Sequence, residues 1–228
     1  MELVRVSVPS FEFAPASVRL SSAAFYARFG KRALDLGILF LLAPLVLVIL
    51  ALILAATAID GGRPLYVQDR IGVGGRRFRC WKVRTMVLDA DAKLARILAE
   101  DSTLAAEWAR DQKLSRDPRI TRIGRLLRRT SLDELPQLWN VLTGDMSLVG
   151  PRPFLPEQAA LYDGGRHDVA YYRVRPGITG LWQVSRRNAG TFAERADYDH
   201  RYARDLSLPA DLAILLSTVR VVLRATGK

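Results

Sequence analysis

The chain has 228 residues and half of them are hydrophobic, so it is long enough to bury a sizeable core. It carries 34 Lys and Arg against 23 Asp and Glu, for a formal net charge of +11. That balance favours an anionic partner, either nucleic acid, an acidic membrane surface or a phosphorylated substrate. The single cysteine, Cys80, excludes an internal disulfide and suits a domain that faces the cytosol.

The first strong signal along the chain is an uncharged apolar stretch from Leu36 to Ile59. As a helix it is roughly 36 Å long, enough to cross a hydrocarbon core of about 30 Å. Residues 1–30 are predicted to form a loosely ordered arm that becomes helical near Phe25. The sequence therefore divides into this arm, a membrane helix over residues 31–60 and a cytosolic domain over residues 61–228.

The topology of the membrane helix is open between two arrangements. Pro44 interrupts the apolar run and is expected to bend the axis, leaving two pieces that are each too short to span the core. Arginines and lysines lie on both flanks, and the positive-inside rule asks for both flanks to be cytoplasmic. A re-entrant helix satisfies that rule, whereas an ordinary tilted span with a mild kink does not.

Residues 65–86 read as a β-hairpin. Two segments, LYVQDRIG and RFRCWKVRTM, flank a Val-Gly-Gly-Arg turn. The glycine spacing matches neither a Walker A motif nor a dinucleotide loop. Arg70, Lys82 and Arg84 share the hairpin with apolar neighbours and are candidates to face an anionic ligand.

Residues 89–114 have the apolar spacing of one amphipathic helix, opened by Asp89-Ala90-Asp91. An Asp-x-Asp pair can hold a metal-nucleotide in glycosyltransferases, which gives a rival function, although acids are common at helix starts. Residues 115–130 form a basic stretch whose arginines resemble one helix face lying on phosphate, or simply a solvated face. These arginines are Arg116, Arg119, Arg122, Arg125, Arg128 and Arg129. No aromatic interleaving or groove-binding motif supports nucleic acid as the partner.

The stretch from Thr130 to Pro153 carries the strongest chemistry. Asp133 and Glu134 are adjacent acids in basic surroundings, which suit attack on a metal-chelated phosphate. The same residues also fit a Ser131-x-x-Glu134 capping box, with the helix starting after Ser131 or after Asp133. Asp145 is a further acidic candidate.

Two rigid or turn-rich segments follow the acidic pair. Pro151-Arg152-Pro153 fixes the backbone around one guanidinium. Residues 157–172 are predicted to be helical, and 175–180 form a turn-rich stretch that leads into Leu181-Trp182-Gln183-Val184. Residues 208–223 are predicted to form a helix that lies in the membrane interface or packs against the domain.

In combination, these motifs resemble the bacterial sugar transferases, the monotopic polyprenyl-phosphate phosphoglycosyl transferases. The resemblance covers roughly residues 31–223 and rests on KRALD, DGG, KVRTM, TSLDELPQLWNVLTGDMSLVGPRP and RPGITGLWQV. The length is most similar to small exopolysaccharide-initiating galactose-1-phosphate transferases. Two positions depart from the family pattern: Ala43 precedes Pro44 where members often have Ser, and Arg186 stands where they often have Gly.

The resemblance implies an α+β, mainly helical fold. It comprises a re-entrant membrane helix, bent at Pro44, and a cytosolic domain with a small β-hairpin or sheet and interfacial amphipathic helices. It places the chain in the bacterial inner (cytoplasmic) membrane, with the catalytic domain on the cytoplasmic face. The implied partners are a UDP-sugar, undecaprenyl phosphate and the membrane, with no nucleic acid, and a homodimer is left open.

The resemblance also implies roles for individual residues. Asp133 attacks the sugar-bearing phosphate and expels UMP, after which the lipid phosphate accepts the sugar-1-phosphate. Glu134 binds Mg²⁺, with Asp145 as a second candidate ligand. The candidate substrate and phosphate ligands are Arg128, Arg152, Lys82, Arg84, Arg175 and Gln183.

The sugar is expected to be galactose or glucose. Two rival functions stand beside this one. One is direct glycosyl transfer using Asp89 and Asp91, which would release UDP. The other is a non-catalytic protein that binds the membrane surface through its basic face.

Overall fold

The structure is a computed structural model that describes residues 22–111, 114–163, 170–185, 192 and 194–223. It begins with a short helix α1 (Ser22–Phe25) and a π-helical turn (Tyr26–Gly30) that run into the long helix α2 (Lys31–Ile59). Within the described part, one helix, Tyr26–Ile59, is long and apolar enough to cross a membrane. Pro44 lies inside α2, as expected. The middle of α2 is exposed, including Phe40, Leu41 and Leu45.

The first turns of α2 are anchored to the rest of the domain by buried polar groups. Asp35 accepts hydrogen bonds from the Ser147 hydroxyl and the Leu148 amide, both at 3.0 Å. Lys31 Nζ lies 2.7 Å from the Asp211 carboxylate, which is fully buried. The KRALD segment therefore anchors α2 to the domain, because the charged side chains of Lys31 and Asp35 are removed from water and gain specific partners.

The last turns of α2 contact the same domain. Ile53 packs with Val83 and Leu127 in a small hydrophobic cluster. The Arg84 guanidinium donates hydrogen bonds to the carbonyls of Thr57, at 3.2 Å, and Gly61. A cation at these carbonyls suits the negative end of the helix. Both ends of α2 therefore contact one domain, while its middle remains uncovered.

The predicted hairpin is confirmed. Strands β1 (Leu65–Ile71) and β2 (Arg77–Val83) pair antiparallel, with a register from Leu65 opposite Val83 to Ile71 opposite Arg77. Gly74 and Gly75 in the connecting turn have φ of 64° and 76°, a conformation that glycine adopts without steric cost.

The segment predicted as one amphipathic helix is divided into two, α3 (Ala90–Glu100) and α4 (Ser102–Asp111). The Asp101 carboxylate accepts hydrogen bonds from the amides of Thr103 and Leu104 at 2.8 and 3.0 Å. This side-chain cap starts a new helix, so the single-helix prediction was wrong at its midpoint.

The basic stretch becomes helical only at α5 (Arg122–Thr130), which is capped by the Thr121 hydroxyl. Ser131 ends α5 with a left-handed backbone (φ 59°), and its side chain makes no capping hydrogen bond to the following turn. The capping-box interpretation was therefore wrong. Residues Leu132–Glu134 form a 3₁₀ turn, and α6 (Gln137–Thr143) begins after Pro136.

A second, parallel pair of strands closes the domain, β3 (Ser147–Val149) and β4 (Gly177–Thr179). The remaining helices are α7 (Ala159–Asp163), α8 (Leu181–Ser185), α9 (Arg195–Arg204) and α10 (Leu208–Leu223). Between 157 and 172, the described residues form short 3₁₀ turns and α7 rather than one helix. α10 packs on the domain through Ile214 and Asp211, whereas Leu212 and Leu216 are exposed. The main core joins β2, α6, β3, α9 and α10, and its buried members are Cys80, Val141, Met146, Leu148, Val149, Tyr202 and Ile214.

Candidate functional site

An open cleft of about 1500 Å³ lies between the hairpin, helices α3 to α5 and the segment around Arg152. This exceeds the roughly 300–1,000 Å³ of a typical small-molecule site. Basic side chains are frequent in its wall, and Asp133 and Glu134 line it as well.

Asp133 and Glu134 reach the cleft because of the local backbone. The left-handed Ser131 reverses the chain after α5, and a single 3₁₀ turn then carries both acids. Both are largely buried, with 7% and 8% of their surface exposed. Their neighbours differ: Glu134 is bound by two cations, whereas no hydrogen bond holds the Asp133 carboxyl among the described residues.

Glu134 is held by ion pairs from two distant parts of the chain. Lys82 Nζ, on β2, lies 3.0 Å from its Oε1, and Arg152 Nη2 lies 2.7 Å from the same atom. Burial works to raise the pKa of Glu134, but the charges of Arg152 and Lys82 outweigh it and hold that pKa well below its ordinary value. Glu134 is therefore a fixed negative charge.

The pKa of Asp133 moves in the opposite direction. Burial raises it, and the adjacent Glu134 charge raises it further, against the opposing charges of Lys82, Arg128 and Arg152. A carboxylate that is less stabilised by its surroundings is a stronger base and nucleophile. Two neighbouring acids are thus given different chemical characters by their surroundings, as occurs in sites that separate the roles of paired carboxylates.

Arg128 joins the acids from α5. Its Nε donates a hydrogen bond to the Thr85 hydroxyl at 2.9 Å, which fixes the guanidinium beside the cleft. Burial lowers the pKa of Arg128, and the charges of Asp133 and Asp117 oppose that shift. The 3₁₀ turn and α5 therefore present opposite charges to the same space.

The segment that carries Arg152 is held rigidly. Each of its four consecutive carbonyls, from Pro151 to Phe154, accepts a hydrogen bond from another part of the chain. The donors are Gly177 N to Pro151 at 2.8 Å, Arg195 Nη2 to Arg152 at 2.5 Å, Arg70 Nη1 to Pro153 at 3.2 Å and Ile71 N to Phe154 at 3.1 Å. The Arg152 guanidinium is thus presented to Glu134 from a backbone that does not need to reorganise.

Arg195 is a functional candidate that the sequence pattern did not identify. It lines the cleft, is only 5% exposed, and has its guanidinium carbon 5.0 Å from the Trp182 ring and 4.8 Å from the Phe192 ring. Asp199 follows it by one helical turn, and its charge works to raise the pKa of Arg195 against the larger effect of burial. The sequence signal was weak, because an Arg four residues before an Asp is common on solvated helices.

Other predicted ligands are placed away from the acidic pair. Asp145 accepts from the Thr143 hydroxyl at 2.8 Å, Arg175 donates to the Gly144 carbonyl at 2.9 Å, and Gln183 donates to the Ile178 carbonyl at 3.4 Å. These three do not line the cleft. Arg84 does line it, but its guanidinium binds the end of α2. The loop over 186–191 lies outside the described residues.

The rival pair Asp89 and Asp91 is not gathered into a metal site. Asp89 precedes α3 and Asp91 lies in its first turn, where acids favour the positive helix end. In the part of the chain that the structure describes, no group of three or more His, Cys, Asp or Glu side chains could hold a metal. Mg²⁺, however, is commonly bound by one or two carboxylates together with substrate phosphates. Asp133 and Glu134, which open on the cleft, fit that mode.

Comparisons with known proteins show the family to which the chain belongs. The bacterial sugar transferase family matches residues 26–225. The chain is 46% identical over 202 residues to the UDP-galactose-lipid carrier transferase of Erwinia amylovora, covering 88% of this chain and 42% of that protein. It is 49% identical over 169 residues to the undecaprenyl-phosphate galactose phosphotransferase of Salmonella typhimurium, covering 74% and 35%.

A shorter relative matches over most of its length. The exopolysaccharide production protein ExoY of Rhizobium meliloti is 43% identical over 189 residues, covering 83% of this chain and 81% of that protein. The chain spans less than half the length of the first two relatives. The match to the family covers most of the chain and includes the cleft, so the protein belongs to the bacterial sugar transferase family.

Proposed function

We propose that this protein transfers a sugar-1-phosphate from a UDP-sugar to undecaprenyl phosphate, releases UMP, and so initiates an exopolysaccharide or related glycan. One observation carries the proposal: a buried Asp133, whose carboxyl accepts no hydrogen bond from the described residues, lies beside an ion-paired Glu134 in a cleft lined by arginines. The names of the relatives, which refer to lipid-carrier and undecaprenyl-phosphate transfer, support the same class of reaction.

The reaction has two steps in this proposal. An Asp133 oxygen attacks the sugar-bearing phosphorus, and the phosphorus–oxygen bond to UMP breaks, so that UMP leaves with that electron pair. An oxygen of the lipid phosphate then attacks the same phosphorus, the aspartyl–phosphate bond breaks, and Asp133 is regenerated as a carboxylate. Lys82, Arg128 and Arg152 bind the phosphate oxygens and stabilise the charge that develops on them.

Glu134 is proposed to hold Mg²⁺ together with the diphosphate of the donor. When bound there, Mg²⁺ supplies charge neutralisation for the diphosphate. Lys82 and Arg152 both donate to Glu134 Oε1, an oxygen that would bind the ion. We infer that these cations turn from Glu134 towards the phosphates as substrate binds.

We propose that α2 is re-entrant and that the domain lies on the cytoplasmic face of the bacterial inner membrane. A simple span would place the helix ends about 30 Å apart on opposite faces. Here Asp35, at one end, and Ile53 and Thr57, at the other, all contact the same domain.

Labelling tests this topology. Phe25 and Leu65 are both exposed, so cysteine substitutions at these positions should both react with a membrane-impermeant thiol reagent from the cytoplasmic side. The native Cys80 is buried and should contribute little background. Periplasmic labelling at position 25 would reject the re-entrant arrangement.

The enzymatic test uses purified protein, undecaprenyl phosphate and a panel of UDP-sugars. We expect UMP as the nucleotide product, with UDP-galactose as the preferred donor and UDP-glucose as the alternative. Release of UDP would instead favour direct glycosyl transfer, for which Asp89 and Asp91 are the candidates. Release of neither nucleotide would favour a binding protein, and turnover confined to an N-acetylated sugar would reject the assignment of the sugar.

A further inference from the structure

Three arginines of α5 are not used by the donor chemistry described above. Arg122, Arg125 and Arg129 are separated by three and four residues, so they share one face of the helix. All three are exposed and line the cleft. Among the described residues, no carboxylate lies within ion-pair distance of any of them. By contrast, Arg119 in the same cleft is paired with Asp117 at 2.6 Å.

Helix α5, which carries this basic face, packs against the membrane helix through its other side. Leu127, on the opposite side of α5, packs with Ile53 of α2 and Val83 of β2. The basic face is therefore carried by a helix that lies directly against the second half of α2.

Exposed apolar side chains line the same cleft as the arginines. Leu126, 53% exposed, and Leu88, 74% exposed, both line the cleft. Leu88 lies against Gly62, which comes just after the end of α2. A Cβ atom added to Gly62 would lie 2.8 Å from the Leu88 side chain. The outer cleft therefore offers positive charge and exposed hydrocarbon together, close to the membrane helix.

The inner cleft has a different character. Lys82, Arg152 and Arg128 surround the acidic pair and are half-buried. Arg128 and the three outer arginines come from the same helix, so the two groups of cations are fixed relative to each other. The cleft volume of about 1500 Å³ leaves room for a second ligand beside a nucleotide sugar.

We propose that Arg122, Arg125 and Arg129 form the binding site for the phosphate of the lipid acceptor, with Leu88 and Leu126 contacting its first hydrocarbon units. The ligand class is a polyprenyl monophosphate, and the inference rests on the proposed function. The outer site delivers the acceptor phosphate towards the aspartyl-phosphate. An oxygen of the acceptor phosphate forms a bond to the phosphorus of the aspartyl-phosphate. The bond between that phosphorus and Asp133 breaks, and the Asp133 carboxylate leaves with the electron pair.

The two half-reactions allow a sharp test. Arg125→Gln, Arg129→Gln and the double variant are compared with the unaltered protein in neutral detergent micelles of fixed composition. The first readout is the burst of UMP released from UDP-sugar without acceptor, and the second is the KM for undecaprenyl phosphate. Arg96→Gln is the matched control, since Arg96 is an exposed helical arginine outside the cleft and its loss changes the net charge equally.

We expect the burst to be unchanged in all variants and in the control. We expect the KM for undecaprenyl phosphate to rise roughly tenfold for each arginine removed, as for the loss of one charged hydrogen bond. An unchanged KM, or a burst reduced to the same extent as turnover, would overturn the proposed acceptor site while leaving the proposed reaction intact. Absence of any UMP burst in the unaltered protein would overturn the proposed function and the acceptor site with it.

A further experiment distinguishes a specific acceptor site from general attraction to anionic lipid. Binding of each variant is measured to vesicles of neutral phospholipid with and without anionic phospholipid, none containing polyprenyl phosphate. The proposal predicts that Arg125→Gln and Arg96→Gln bind these vesicles equally well. Weakened binding of Arg125→Gln alone, in proportion to its change in KM, would show a general surface effect and would contradict a specific acceptor site.

Discussion

Arg195 is expected to act on the reaction through Arg152. Its Nη2 donates to the Arg152 carbonyl at 2.5 Å, and its guanidinium carbon lies 5.0 Å from the Trp182 ring centre and 4.8 Å from the Phe192 ring centre. Lysine keeps the charge but lacks the planar fork that stacks and donates at once. A charged hydrogen bond contributes about 1.5–3 kcal/mol. If that whole amount is lost from the transition state, turnover falls by roughly 10- to 150-fold.

We therefore expect Arg195→Lys to lower kcat by roughly 10- to 150-fold while the KM for UDP-sugar changes little, since displacement of Arg152 weakens the transition state more than donor binding. The assay is steady-state UMP release, with thermal melting to verify folding and Arg201→Lys as an exposed control on the same helix. A double-mutant cycle with Arg152→Ala tests whether Arg195 acts through Arg152. If Arg195→Lys costs the same factor in kcat with and without Arg152, the two residues are uncoupled and the reasoning is refuted.

Three further outcomes are expected. Because burial raises the pKa of Asp133 and its carboxylate is the attacking form, the rate of the UMP burst should rise with pH through that raised pKa and then level off; a flat profile down to the ordinary Asp range would contradict this. Lys82→Met removes one ion pair of Glu134 and should lower kcat/KM for UDP-sugar by roughly 10- to 100-fold. An unchanged kcat/KM would exclude Lys82 from the site. Asp211→Asn leaves Lys31 buried without its partner and should destabilise the protein by about 3–5 kcal/mol in denaturant melts; unchanged stability would remove this pair from the anchor of α2.

Sequence patterns predicted correctly the secondary-structure elements that neighbouring residues determine. The hairpin followed from alternating residues around two turn glycines, and both strands formed where expected. The division at Asp101 was missed, since an Asp within an amphipathic pattern looks like any exposed polar residue until its carboxylate caps a helix. The spacing of Ser131 and Glu134 also fits a capping box, but a left-handed serine is not encoded by that spacing.

The site was predictable only in part for the same reason. Asp133 and Glu134 are adjacent in sequence, so their proximity needed no fold. The separation of their pKa values depends on Lys82, 52 residues before Glu134, and on Arg152, 18 residues after it, and such contacts are set by tertiary structure. The bracing of Arg152 by Arg195 is likewise a long-range contact, with no local signal that distinguishes it from a surface arginine.

The most direct test of the central claim is mass spectrometry of the protein incubated with UDP-sugar and Mg²⁺ in the absence of lipid acceptor. We expect a covalent sugar-phosphate adduct that maps to Asp133, is discharged on addition of undecaprenyl phosphate, and is absent from Asp133→Asn. The Asn variant should fold normally, because the Asp133 carboxyl holds no hydrogen bond in the described structure. An adduct on any other residue, or substantial UMP release by Asp133→Asn, would contradict the assignment of Asp133 as the nucleophile.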